Sequence, residues 1–198
     1  MNEGVIKFKC EWIQSAPLEA HWIEQIDPWR TQLFKHRLIG MYPDGIGYGN
    51  ISIRVNKNQF IISGSATGGI PQLTNLHYTK VTEFNLEQNS LTAVGPIIAS
   101  SESLSHAAVY TCNESIGAVM HVHNADMWDT LINKIPTTHA HIEYGTPAMA
   151  FDIMRLYNET DLPQKKIMVM AGHPEGIIVF GKDVEEAGSI LLRYLSKG

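Results

Sequence analysis

Apolar and polar residues alternate with a period of two across residues 5–12 (VIKFKCEW), which predicts a half-buried strand. A turn-rich segment follows. The run WRTQLFKHRLI is then bracketed by Asp27 as a helix N-cap, Pro28 at the first helical position and Gly40 at the close, so both ends of a helix are signalled. From Gly45 the character changes. GIGYGN is too glycine-rich for a helix, ISIRV and QFIIS read as a strand pair, and SGSATGG reads as a second flexible loop. Residues 80–95 predict two short strands around the polar turn EQNS. ASSESLSHAAVYTC carries serine caps ahead of an alanine-containing helix, and GAVMHVH is the next strand. Helical spacing returns in ADMWDTLINK and, after a proline-containing connection, in PAMAFDIMRLY; KKIMVMA and GIIVFG add two short strands. The C-terminal DVEEAGSILLRYL has Asp183 as cap, acid residues in its first turn and Arg193 near its end, in keeping with the helix dipole. The sum is a mixed α/β architecture in layers.

Composition narrows this picture. The 198 residues hold no internal repeat, low-complexity tract or linker, so residues 1–198 are expected to form one domain. Apolar residues make up 44% and charged residues 18%, which excludes disorder as the main state. Lys and Arg total 15 against 20 for Asp and Glu, a net charge of -5, so neither nucleic acid nor an anionic membrane is an expected partner. The longest apolar runs fall short of the roughly 18 to 20 residues that span a bilayer. Cys10 and Cys112 make no disulfide framework, and MNEGVIKFKCEW has no apolar signal core, which together fit a reducing cytoplasm.

The candidate chemistry centres on Val119-Met120-His121-Val122-His123 at the end of a strand. Side chains two apart on a strand share a face, roughly 6.5 Å between α-carbons. Both imidazoles therefore reach one ion through metal–nitrogen bonds of about 2.0 Å. The same pair also fits two histidines satisfied by core hydrogen bonds. His173, in the turn AGHPEG between two apolar strands, is either a third ligand or a structural loop histidine. Ser100, Ser101 and Glu102 open a helix, where unpaired N–H groups and the positive dipole end favour an anion; serving as caps is the alternative role. His106, one turn beyond Glu102, either orients it or is a surface neighbour. The loops Gly49-Asn50 and Ser63-Gly64-Ser65-Ala66-Thr67-Gly68 bring backbone donors and small hydroxyls suited to a phosphate. GIGYGN lacks the spacing of a dinucleotide fingerprint and precedes a strand, and no P-loop is present.

Taken in order, GYGNISIR, the small-residue loop, ASSES, AVMHVHN, EYGTPAMA and a glycine-flanked late histidine resemble the class II aldolase/adducin family over roughly residues 30–195. The Glu102 to His121 spacing also looks like that of the aldolases. The resemblance implies a three-layer α/β/α fold with a central, mainly antiparallel sheet, assembled as a homotetramer with active sites between subunits. It puts Zn2+, or another divalent metal, on His121, His123 and His173 and makes Glu102 the acid/base. Gly49, Asn50, Ser63, Gly64, Ser100 and Ser101 match the segments that hold a substrate phosphate, with Thr67-Gly68 able to take the place of Ser63-Gly64. Two departures stand out. The late histidine sits in GHPEG rather than in the commoner His-Gly pair, so Glu175 competes with His173 as ligand. Ala140 falls where sugar-phosphate aldolases carry a proton-donating tyrosine, with His139, His141 and Tyr144 nearby as substitutes.

The implied function is a zinc-dependent lyase that cleaves a small ketose phosphate through a metal-stabilised enediolate. A methylthioribulose-phosphate dehydratase or a pentulose-phosphate 4-epimerase would use the same metal site. A non-catalytic assembly module like the adducin head is the alternative of a different class.

Overall fold

The computed structural model describes residues 5–196. In chain order the elements are β1 (Lys9–Gln14), α1 (Ala20–Lys35), β2 (Gly40–Met41), β3 (Gly47–Tyr48), β4 (Asn50–Asn56), β5 (Gln59–Ser63), β6 (Tyr78–Asn85), β7 (Ser90–Gly95), α2 (Ser103–Cys112), β8 (Ala118–His123), α3 (Ala125–Leu131), α4 (Pro147–Glu159), α5 (Leu162–Lys165), β9 (Ile167–Val169), β10 (Gly176–Gly181) and α6 (Val184–Leu195). Eight strands form one sheet in the order β1-β7-β6-β5-β4-β8-β10-β9, while β2 and β3 pair separately. Among the strand pairs of the described residues, the β1–β7 ladder alone is parallel. The others in this sheet are antiparallel, as expected for the fold class.

Strand alternation sorts the core into two faces. Ile51, Ile53, Ile61, Met120, Val122, Ile177 and Val179 pack with Ile23, Ile26 and Leu33 of α1 and Ile190 and Leu191 of α6. Phe60, Ile62, Val119, Met168, Ile178 and Phe180 pack with Leu104, Ala107 and Ala108 of α2 and Met149 and Ile153 of α4. Burial on both faces gives three layers and explains why every position of β8 and β10 is buried.

Two sequence expectations shift. The first strand runs Lys9–Gln14, not 5–12, and is mostly exposed. It lies at the sheet edge, where its place is set by pairing Lys9 through Gln14 with Ser90 through Gly95, not by burial of one face. Helix α1 begins at Ala20 rather than at Asp27, so Pro28 lies inside it and Gly40 belongs to β2. Interior proline removes one helical hydrogen bond. Burial of Ile23 and Ile26, five and two residues upstream, offsets that loss, since a fully buried isoleucine is worth about 1.5–3 kcal/mol. Among the described residues no helix is long and apolar enough to cross a membrane.

Candidate metal centre

The three histidines arrive from two elements. His121 and His123 share the face of β8 that carries Val119, so both look toward the α2 and α4 layer. Register places Asn50 of β4 beside His121 on one side, and Ile178 and Gly176 of β10 beside His121 and His123 on the other. Gly176 is required there: a Cβ would sit 3.2 Å from His121 Cε1, 3.2 Å from His173 Cγ and 2.9 Å from the His173 carbonyl oxygen. His173 comes in on the turn before β10, where its N–H donates to the Met170 carbonyl.

One ring nitrogen from each of His121, His123 and His173 lies within 4.8 Å of the others, and all three residues are buried. His121 Nε2 and His123 Nε2 are 3.0 Å apart. That is close to the edge of a tetrahedron built on metal–nitrogen bonds of about 2.0 Å, roughly 3.3 Å. The opposite nitrogens are engaged: His121 Nδ1 faces the Ile177 carbonyl at 3.3 Å and His123 Nδ1 the Tyr42 hydroxyl at 2.9 Å. Burial, followed by the neighbouring His121 and His123-facing His173, holds the His123 pKa well below the usual imidazole value. A neutral imidazole is the form that binds metal. The convergence, the outward-facing hydrogen bonds and the neutral donor fit a divalent ion.

Glu102 stands at the N-cap position of α2 and is 1% exposed. Its Oε2 accepts from Ser105 Oγ at 2.5 Å, and its Oε1 lies 3.4 Å from His173 Nδ1, a looser contact. Burial raises the carboxyl pKa. The His173 contact, the charges of His121 and His173, and the Ser105 hydrogen bond outweigh it and bring the value down to about 2. Glu102 therefore rests as a carboxylate at neutral pH. Glu175 does not join the ligand cluster. Its Oε2 accepts from the Tyr42 hydroxyl at 2.6 Å, one step behind His123.

The anion-binding expectations gather beside Glu102. Gly49, Asn50, Gly64, Thr67, Gly68, Ser100 and Ser101 line one small concavity with Glu102. Asn50 Nδ2 donates to Ser100 Oγ at 3.0 Å. Gly49 has φ +74, and a Cβ there would meet Ile39 Cγ1 at 2.7 Å, so the close backbone approach depends on glycine. Ser63 is not among the lining residues; its Oγ accepts from the Ile51 N–H at 3.2 Å within the sheet. Thr67 and Gly68 are in the lining instead.

Three further residues lie around the site. Arg30 of α1 is 1% exposed, and its guanidinium donates to the carbonyls of Thr67, Gly68 and Pro71 at 2.9, 3.0 and 3.1 Å, pinning the loop from beneath. The sequence signal was an arginine on the apolar stripe Ile23, Ile26, Trp29, Leu33. His106 does not orient the Glu102 carboxyl. Its Nδ1 bonds Ser52 Oγ at 2.7 Å, which in turn bonds the Tyr110 hydroxyl at 2.8 Å. Tyr144 packs its ring on His173 at a centroid distance of 4.4 Å, with Lys7 Nζ 3.9 Å above the tyrosine ring. His139, by contrast, is tied to buried Asp152 at 2.8 Å, and His141 is exposed.

Burial, and secondarily the charge of His121, lowers the His106 pKa to about 3 against the opposing pull of Glu102. A base whose folded pKa is depressed is protonated first in the unfolded chain. Stability is then complete above pH 6.5, the ordinary value, and drains as pH falls toward 3. Urea unfolding of metal-free protein at stepped pH is expected to show a loss on the order of 1 kcal/mol per pH unit from this residue within that window. His106→Gln should flatten the slope by that amount.

The Class II Aldolase and Adducin N-terminal domain profile matches residues 44–193, which hold every candidate ligand and cradle residue named above. The chain belongs to the class II aldolase/adducin family. Solved structures of family members agree in fold. L-fuculose-1-phosphate aldolase from Thermus thermophilus superposes with a TM-score of 0.64 at 20% identity, covering 89% of this chain and 90% of that one. YgbL of Klebsiella pneumoniae, a candidate aldolase/epimerase/decarboxylase, gives 0.65 at 16% identity over 87% and 84%. A further L-fuculose 1-phosphate aldolase gives 0.66 at 16% identity over 91% and 84%. At these identities the likeness establishes the class II aldolase fold. No curated protein sequence matches the chain significantly.

Proposed function

We propose that this class II aldolase family member is a zinc-dependent lyase that cleaves a small ketose phosphate. The observation that carries the reading is the convergence of three buried imidazoles within 4.8 Å beside a buried carboxylate. A passive assembly module has no use for such a cluster, because burying polar groups without an ion to hold is destabilising. When bound, zinc supplies Lewis-acid stabilisation of the negative charge that develops on the substrate oxygens next to the carbonyl.

The chain's own residues account for the remaining steps. His121, His123 and His173 hold the ion and, being neutral, leave its charge uncancelled. Asn50, Ser100, Ser101 and the backbone of Gly49, Gly64 and Gly68 receive the substrate phosphate with N–H and hydroxyl donors. This puts the substrate chain between the cradle and the histidines, against Glu102. The Glu102 carboxylate exchanges a proton with the carbon beside the carbonyl, and Ser105 fixes which oxygen faces inward. Resting as a carboxylate, Glu102 removes that carbon's proton in the direction of bond formation; in cleavage it gains the proton that the substrate hydroxyl beyond the breaking bond gives up and returns it to the carbon. Tyr144, stacked on His173, and the neighbouring His139 and His141 are the groups for the second proton transfer. The reading carries with it a cytoplasmic location and a cyclic homotetramer, for which Trp12, Ile13, Met41 and Phe151 supply exposed apolar surface.

The test is to incubate zinc-loaded protein with a panel of sugar phosphates and follow products by NMR. Release of dihydroxyacetone phosphate is expected. Loss of water from the substrate identifies a dehydratase, inversion at one carbon an epimerase. Wild-type protein that purifies without metal and takes none up points to the adducin-like module.

A further inference from the structure

We propose that Tyr42 and Glu175 are positioning residues for the metal centre, which together set the His123 imidazole as a donor through Nε2. The proposal rests on the metal-centre reading and adds two residues to it. Tyr42 stands on the turn joining β2 to β3, where its N–H donates to the Ile46 carbonyl and its own carbonyl accepts from the Gly45 N–H. Its hydroxyl lies 2.6 Å from Glu175 Oε2 and 2.9 Å from His123 Nδ1. A hydroxyl carries a single proton, whereas a carboxylate oxygen offers only lone pairs. The phenol proton therefore goes to Glu175, and the phenol oxygen accepts from His123 Nδ1–H. With the ring proton on Nδ1, the His123 lone pair is on Nε2, the nitrogen that meets His121 Nε2 at 3.0 Å. A carboxylate acting through a hydroxyl in this way fixes the tautomer, locks the ring and raises its basicity as a ligand.

The backbone at Glu175 is an independent observation. The turn His173-Pro174-Glu175-Gly176 closes with the Gly176 N–H on the His173 carbonyl at 2.9 Å, with proline at its second position. Glu175, third in the turn, has φ +66. This is the type II pattern, in which glycine or asparagine takes the positive φ without strain. A glutamate there is strained relative to glycine, and the side chain it brings is the carboxylate that Tyr42 reaches. The Glu175 carbonyl also accepts from the Asn124 N–H at 3.0 Å, which ties the turn to the residue following His123. On the other side Tyr42 and Tyr48 pack ring to ring at 4.5 Å, and Tyr48 lies 5.4 Å from the His123 ring, so the β2–β3 hairpin closes over the imidazole.

The experiment compares the full chain with Tyr42→Phe and Glu175→Gly. The glycine variant relieves the positive φ and is expected to melt at or above the wild-type temperature, which separates positioning from folding. In metal-free protein with nitrogen-15-labelled histidine, long-range proton–nitrogen NMR is expected to show His123 as the Nδ1–H tautomer. In Glu175→Gly the phenol proton is free to turn to Nδ1, and the signal should move toward the Nε2–H form. Zinc titrated against a chromophoric chelator is expected to bind about 10- to 100-fold more weakly to both variants. A wild-type His123 in the Nε2–H form, or zinc affinities of both variants within about twofold of wild type, overturns the proposal. If the wild type takes up no zinc, the metal reading falls. The tautomer change in Glu175→Gly then still decides whether Tyr42 and Glu175 set His123.

Discussion

Replacing His121 with alanine is expected to weaken zinc binding by more than about 100-fold, since loss of a ligand outweighs loss of the groups behind one. The three rings form a near-equilateral cluster, that of His121 lying 4.8 Å from His123 and 5.0 Å from His173. Two imidazoles then remain, below the three protein ligands usual for a catalytic zinc site. The position is fully buried in mid-sheet, paired to Asn50 and Ile178 on its flanks, so the variant also loses packing and needs a check by circular dichroism. Metal content by elemental analysis of the purified variant against wild type decides the outcome. Zinc retained at one equivalent would remove His121 from the site and with it the convergence on which the functional reading stands.

Glu102→Gln is expected to have the largest effect on turnover and a small one on metal. The amide keeps the shape of the carboxyl and still accepts from Ser105 Oγ, so the start of α2 and the adjoining cradle should be preserved. It has no proton to exchange near neutral pH. Turnover of whichever sugar phosphate proves to be the substrate should fall by about 100- to 10,000-fold, the usual contribution of a positioned acid/base. Zinc affinity should change by less than about tenfold, because Glu102 touches the centre only through His173 Nδ1 at 3.4 Å. The two measurements together separate proton transfer from metal holding. Unchanged turnover would exclude Glu102 from the chemistry; parallel loss of zinc would make it a support for His173 instead.

The neutral state of His106 and His123 and the ionised state of Glu102 belong to one electrostatic design. Burial by itself disfavours charge on every group. Around the centre it keeps His106 and His123 neutral, while at Glu102 the surrounding imidazoles and Ser105 reverse it. A His123 donor kept neutral beside a base kept ionised suits a cation site with adjacent proton transfer.

Much of this was legible in the chain as written. The HxH pair could be placed on one face of a strand because strand periodicity is local and strict, and β8 obeys it. The helix containing PAMAFDIMRLY and the capped C-terminal helix fall where their apolar spacing and caps put them, as α4 and α6. The start of α1 was less legible. The Asp27-Pro28 signal is a sound helix opening taken by itself, but the apolar stripe continues upstream through Ile26 and Ile23, and burial of that stripe on the sheet overrides the local signal. The edge position of β1 was hidden for a related reason: alternation reports burial of one face, and nothing in VIKFKCEW says which strand lies beside it. Tyr42 and Ser52 carried no signal of function because each acts on a residue far away in sequence, and Arg30 was marked only as an arginine on an apolar stripe.

By itself, then, the order of residues determined which side chains could do chemistry and on what kind of element each would stand, since propensity, capping and periodicity are interactions between near neighbours. It also carried the family likeness, because the motifs are short and follow one another along the chain. Only the tertiary structure decided that His173 meets the β8 pair, that Glu175 turns to Tyr42, and that His106 points to Ser52 rather than to the carboxyl one turn away. Those outcomes are settled by sheet order and by which groups must find partners once water is excluded, and neither is a property of any local stretch of sequence.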